Sequence, residues 1–230
     1  MGRAAAHALV LGLWKKAWMF MSAEAKVQGI YLEGYEAFER GDFQRAEVLA
    51  DECLALSSRS SYWYAGALGL KCWIANFTGD LDALEQNAAV LLELETGDDK
   101  PWFDGVALLN LGLAKRREGR TGEASVLLWR AAERYEAQRL RAGQPGEWRR
   151  VLDYFGALSR WAASGEAREW REYLGSEGAG AGDRGELIEQ LSAAARLMFR
   201  YAEGEEVKRE ARELVRGGVS RTFLAAILLG

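Results

Sequence analysis

The sequence predicts an all-α fold, an array of antiparallel helix pairs with about ten to thirteen helices, and three observations carry that expectation. Composition is the first: 230 residues contain only two prolines, with 49% hydrophobic and 28% charged side chains. Such a chain is globular, and alternating runs of β-branched and aromatic residues, the mark of strands, are missing. The second is a recurring break at Gly41-Asp42, Gly79-Asp80, Gly119 and Gly165-Glu166, at separations of 38, 40 and 46 residues. Each break stands between two apolar-periodic stretches, so the unit is helix, tight turn, helix. The third is a recurring tryptophan: Trp63, Trp102 and Trp148 stand 16 or 17 residues before their unit's glycine. They fall where the first helix of a pair begins and are read as structural, packing on the preceding pair.

Residues 1–24 are expected to form an N-terminal capping helix. The stretch MGRAAAHALVLGLWKKAWMFMSAEA joins a basic start, an apolar run and small residues at Ala23 and Ala25, a layout that imitates a leader peptide. Lys15 and Lys16 interrupt the run, and neither apolar piece reaches the roughly 18–20 residues of a membrane span. Three readings stay open: a helix buried over the first repeat, interfacial membrane contact, and a signal peptide. Met19 and Met21 are further candidate starts.

Residues 25–174 are read as the array, in about four units. At Gly41 and Gly79 a left-handed residue ends one helix at least steric cost. Asp42 and Asp80 then cap the free amides of the next helix and suit its positive end. In the third unit Thr121 is expected to take the capping role, with Glu123 in the first turn. Cys53 and Cys72 lack CxxC spacing and sit in apolar helical sequence, so both are read as buried free thiols of a reducing compartment.

These units resemble tetratricopeptide repeats. The third matches best, with Asn110-Leu111-Gly112, the turn glycine Gly119, and small Ala124 and Ala131 on the second helix. The first matches at Gly34, Gly41, Asp42, Phe43 and Ala46; the second keeps Gly79-Asp80 but has Cys72 and Leu84 at small-residue positions. The fourth keeps only Ala157, Trp161 and Gly165. Strong resemblance covers roughly residues 27–135, in units longer than the usual 34. It implies a right-handed superhelical solenoid whose first helices line a concave groove for a peptide or partner helix. Carried over unit by unit, that groove is expected to hold Tyr31, Tyr35 and Phe38, then Trp73, Asn76 and Phe77, then Leu109, Leu113, Arg116 and Arg117. Helical spacing puts each set on one stripe, which suits core packing as well as binding. The groove reading gives an aromatic wall and a cationic end, fit for a segment with apolar anchors and a carboxylate.

Residues 175–185 are a flexible glycine-rich connection by composition, and residues 186–230 are helices that close the array. Leu187, Leu191, Ala194, Met198 and Tyr201 share one helical face, and Gly204-Glu205 is a candidate fifth break. The apolar TFLAAILL near the end is too short to cross a bilayer and is expected to seal the open end of the stack.

Little catalytic chemistry is encoded. His7 is the only histidine, which removes most acid–base and zinc chemistries. The Gly180–Gly185 stretch spells G-x-G-x-x-G, but helical sequence precedes it where a dinucleotide site needs a strand. Net charge is −4, with −9 over residues 31–100, so direct nucleic-acid binding is not expected. The expectation is a non-catalytic, cofactor-free, cytoplasmic adaptor that binds another protein or peptide. The alternatives are a regulatory or sensor module of a bacterial transcription or signalling system, and an assembly factor held at a membrane by the N-terminal helix or the apolar tail.

Overall fold

The structure, a computed structural model, describes residues 22–141, 146–176 and 185–230. The expectations for residues 1–21 and for the Gly180–Gly185 motif, apart from its last glycine, lie outside the described residues. Eleven α-helices and no strands are found among those described. In order they are α1 (Ala23–Arg40), α2 (Phe43–Leu56), α3 (Tyr62–Thr78), α4 (Leu81–Glu93), α5 (Lys100–Arg117) and α6 (Thr121–Arg139). They continue as α7 (Gly146–Ser164), α8 (Arg168–Ser176), α9 (Glu186–Ala202), α10 (Lys208–Arg216) and α11 (Ala225–Leu229).

The first ten helices fall into five successive pairs, each turned at a glycine, and four of the five turns are closed by the same bond. Gly41, Gly79, Gly119, Gly165 and Gly204 all hold φ between 76° and 90°. That left-handed step lets an amide beyond the glycine reach back to a carbonyl five residues earlier. The bonds run from Asp42 to Ala37, Asp80 to Ala75 and Arg120 to Lys115, each 2.9 Å, and from Glu205 to Arg200 at 3.0 Å. Asp42 then accepts from the Arg45 amide at 3.2 Å and Asp80 from the Ala83 amide at 3.0 Å, so both cap as expected. Thr121 does not. Arg120 occupies the capping position of α6 without a side-chain bond to the backbone, and its guanidinium pairs with Glu123 instead.

Within a pair, small residues set the approach of the two helices. A Cβ at Gly112 would stand 2.6 Å from Leu128, and one at Gly34 would stand 3.2 Å from the Leu49 Cβ. Between pairs, first helices lie side by side. The buried Asn76 amide of α3 donates to the carbonyl and the Oδ1 of Asn110 in α5, both at 3.0 Å. Asn110 in turn donates to Val106, so the clasp joins the two helices inside an otherwise apolar seam. Trp63 packs on Tyr31 of α1 and Trp102 on Trp148 of α7, with ring centroids 5.5 and 4.8 Å apart. Cys53 and Cys72 are buried free thiols, and burial pushes Cys72 up to about 12.

The last segment departs from the expectation. Residues 219–229 do not seal the end of the stack. They turn back at Gly217-Gly218 and lie across the faces of α1, α5 and α7, burying Val219 and Thr222 to Ile227. An apolar stretch gains more from an aromatic face than from the far end of the stack, where α9 already buries Leu191, Ala194, Ala195 and Met198.

Candidate functional site

The shared face of α1, α3, α5 and α7 carries an aromatic surface. Tyr31 and Tyr35 come from α1, Trp73 from α3, Trp102 from α5, and Trp148 and Phe155 from α7. Helical periodicity puts each set on one stripe, and successive pairs set the stripes side by side. They enclose a cavity of about 200 Å³, closed on one side by Thr222 and Phe223. Burial raises the Tyr31 phenol well above its usual range, with the neighbouring Tyr35 adding to it. Burial does the same for Tyr35, with the Glu39 carboxylate adding. Both phenols therefore stay protonated and can donate.

Residues 219–229 are held against this face by side chains of the array. The Ser220 hydroxyl donates to Glu39 Oε1 at 2.6 Å and the Arg221 amide to Glu39 Oε2 at 2.8 Å. Arg221 Nε donates to the Glu39 carbonyl at 2.8 Å, and its guanidinium lies over Phe43. The Tyr154 hydroxyl donates to the Phe223 carbonyl at 2.5 Å, and the Phe223 ring packs on Tyr154 and Phe155. The Tyr35 hydroxyl stands 3.4 Å from the Ser220 oxygen. Thus α1 and α7 each fix one main-chain group of the segment.

The residues expected in a groove divide into four groups. Tyr31, Tyr35 and Trp73 line the cavity together. Phe38, Asn76, Leu109 and Leu113 are buried and do not line it. Phe38 packs edge-on to Phe77 at 5.5 Å and Asn76 belongs to the clasp, because the stripe they occupy is also the contact between pairs. Phe77 is half-buried beside Phe43, next to Arg221 and Leu228. Arg116 and Arg117 are exposed but not idle. Arg116 donates to the Ala162 carbonyl at 2.8 Å and lies over Trp161, and Arg117 donates to the Asn76 carbonyl at 3.1 Å. Each guanidinium thereby satisfies the last turn of a neighbouring helix, where carbonyls are free and the dipole is negative. A second cavity of about 220 Å³ lies between these arginines, Tyr201 and Leu229.

Four residues of the site escape the spacing argument. Trp102 and Trp148 are legible as repeat marks, but nothing local says that they also wall a cavity. Phe155 sits about two helical turns beyond Trp148 and could have been found by extending the stripe into the fourth unit. Phe223 could not, since no periodicity links it to α7.

Among the described residues no group of three or more His, Cys, Asp or Glu side chains is placed to hold a metal ion. No described helix is long and apolar enough to cross a membrane. The fold and the site together define an all-helical array of adjacent helix pairs with an aromatic face. Comparison with known proteins gives no match to a family model, a curated protein or a solved structure.

Proposed function

We propose that this chain is a non-catalytic adaptor built as a tetratricopeptide-like, right-handed solenoid, and that it captures a segment of a partner protein on the aromatic face of its first helices. One observation carries the reading: that face already holds a short apolar segment, gripped through its main chain and through one aromatic anchor. A surface that fixes main-chain groups and offers an adjoining apolar cavity is suited to peptide recognition. The acidic balance of residues 31–100 favours a protein partner over nucleic acid.

Capture from the native extract, with partners identified by mass spectrometry, tests the reading. Replacing half-buried Tyr31 and Trp148 by Ala is expected to abolish capture of the partner retained by the unaltered chain. Trp129→Ala, at an exposed position of a second helix, should leave it intact. Capture that survives the first change and is lost with the second would place the binding face elsewhere.

A further inference from the structure

The segment on the aromatic face differs from the helices around it in how it is held. Its strongest polar contacts come from Glu39 and Tyr154, which lie 182 and 69 positions away in sequence. Two of these bonds fix main-chain groups, the Arg221 amide and the Phe223 carbonyl, as an array side chain fixes an extended ligand. It is joined to the rest by Gly217-Gly218, with φ of 102° at Gly218, where the Val219 amide reaches back to the Leu214 carbonyl at 3.0 Å, so the helix ends there and the chain changes direction. The fit is also incomplete. Phe223 is buried yet borders the cavity of about 200 Å³, so a larger anchor in its place would make contacts that this one does not.

We propose that residues 219–229 are an intramolecular ligand of the groove, displaced when a partner protein docks a segment of the same chemistry. That segment carries a hydroxyl, an arginine and an aromatic anchor in the order of Ser220, Arg221 and Phe223, followed by aliphatic residues. The proposal rests on the partner-binding reading of this face and adds to it both the partner's chemistry and its regulation. The tethered segment acts as a competitor at high effective concentration, so only a better anchor replaces it. A tryptophan at the place of Phe223 extends into the unfilled space and supplies that advantage.

The probe is a fluorescein-labelled peptide of residues 219–229 carrying Phe223→Trp, titrated with the full chain and followed by anisotropy. A full chain with Phe223→Ala in its own segment has a weakened competitor and should bind the probe at least ten-fold more tightly than the unaltered chain. The same peptide with Ala at that position should bind neither. Equal affinities, or no binding to either folded chain, would overturn the proposal. Should the Phe223→Ala chain fail to fold, hydrogen exchange of the unaltered chain decides. Saturating probe is expected to raise exchange at residues 219–229, and unchanged exchange at saturation contradicts displacement. A dimer by light scattering whose segments are exchanged between copies would make a second chain the occupant and also overturn it. Failure here is separable from failure of the adaptor reading, which is judged by loss of capture in the Tyr31 and Trp148 variants alone.

Discussion

Four of the helix-pair turns close over five residues, as does the turn at Gly218, but the segment after Gly218 also finds Glu39, 181 to 182 positions back in the chain. Both regions depend on a glycine with positive φ, yet the outcome differs. At Gly41 or Gly79 the left-handed step is followed by a capped helix that packs on its predecessor. At Gly218 it launches a strip that packs on α10 just before it and is also held by the distant helices α1 and α7. Local bonds make the pairs; long-range closure, with its entropy cost, makes the groove's content. The two regions should therefore respond differently to the same kinds of perturbation.

The largest effect is expected at the crossing within a pair. Gly112→Val drives a side chain into Leu128, which a Cβ alone would approach to 2.6 Å, and should lower stability by about 3 kcal/mol in urea unfolding. A loss under about 1 kcal/mol would mean that α5 and α6 can move apart. Next comes the clasp between pairs. Asn110→Ala leaves the buried Asn76 amide without its side-chain partner and should cost about 2 kcal/mol. An unchanged urea midpoint would show that the clasp contributes nothing to stability.

A further effect depends on pH. Burial holds the Cys72 thiol at about 12 against an ordinary 9.0, and it holds the Tyr135 and Tyr154 phenols well above 10.0. In the unfolded chain these groups lose protons first, so above pH 9 the unfolded state binds fewer protons than the folded one. Stability is then full below pH 9 and is lost as pH rises toward 12, at up to about 1.4 kcal/mol per pH unit for each group. Urea midpoints that stay level from pH 8 to 10.5 would contradict this.

The smallest effect compares the two regions directly. Gly41→Ala and Gly79→Ala each force an alanine into φ near 80° and should each cost about 1 kcal/mol. At Gly79 nothing stands within 4 Å of the new Cβ, while at Gly41 it meets Arg221 Nη2 at 2.8 Å. Only Gly41→Ala should therefore raise hydrogen exchange in residues 219–229. Equal exchange in the two variants would mean that Arg221 does not couple the first turn to the segment.

Much of the array is legible in the sequence because its signals are local. Glycine spacing marks every turn, including the fifth at Gly204, and Asp42 and Asp80 are caps by residue type alone. Thr121 misleads because the backbone can start a helix one residue earlier without a side-chain cap. The candidate site is legible only in part. Periodicity puts Tyr31, Tyr35 and Trp73 on inward stripes, but it cannot divide a stripe between cavity wall and inter-pair contact. Phe38 and Asn76 fell on the contact side. Arg116 and Arg117 look like a cationic rim until the free carbonyls of Ala162 and Asn76 are seen beside them. The place of Phe223 has no local signal, since it is set by Tyr154 and Phe155 in another pair.

Native-state hydrogen exchange across low urea concentrations tests the central claim most directly, by comparing residues 219–229 with the core of α5. Amides of the segment are expected to exchange through a local opening that is nearly independent of urea, while Leu108 and Leu109 exchange only with global unfolding. If both regions share one opening with the same urea dependence, the segment is core and the groove holds no displaceable ligand.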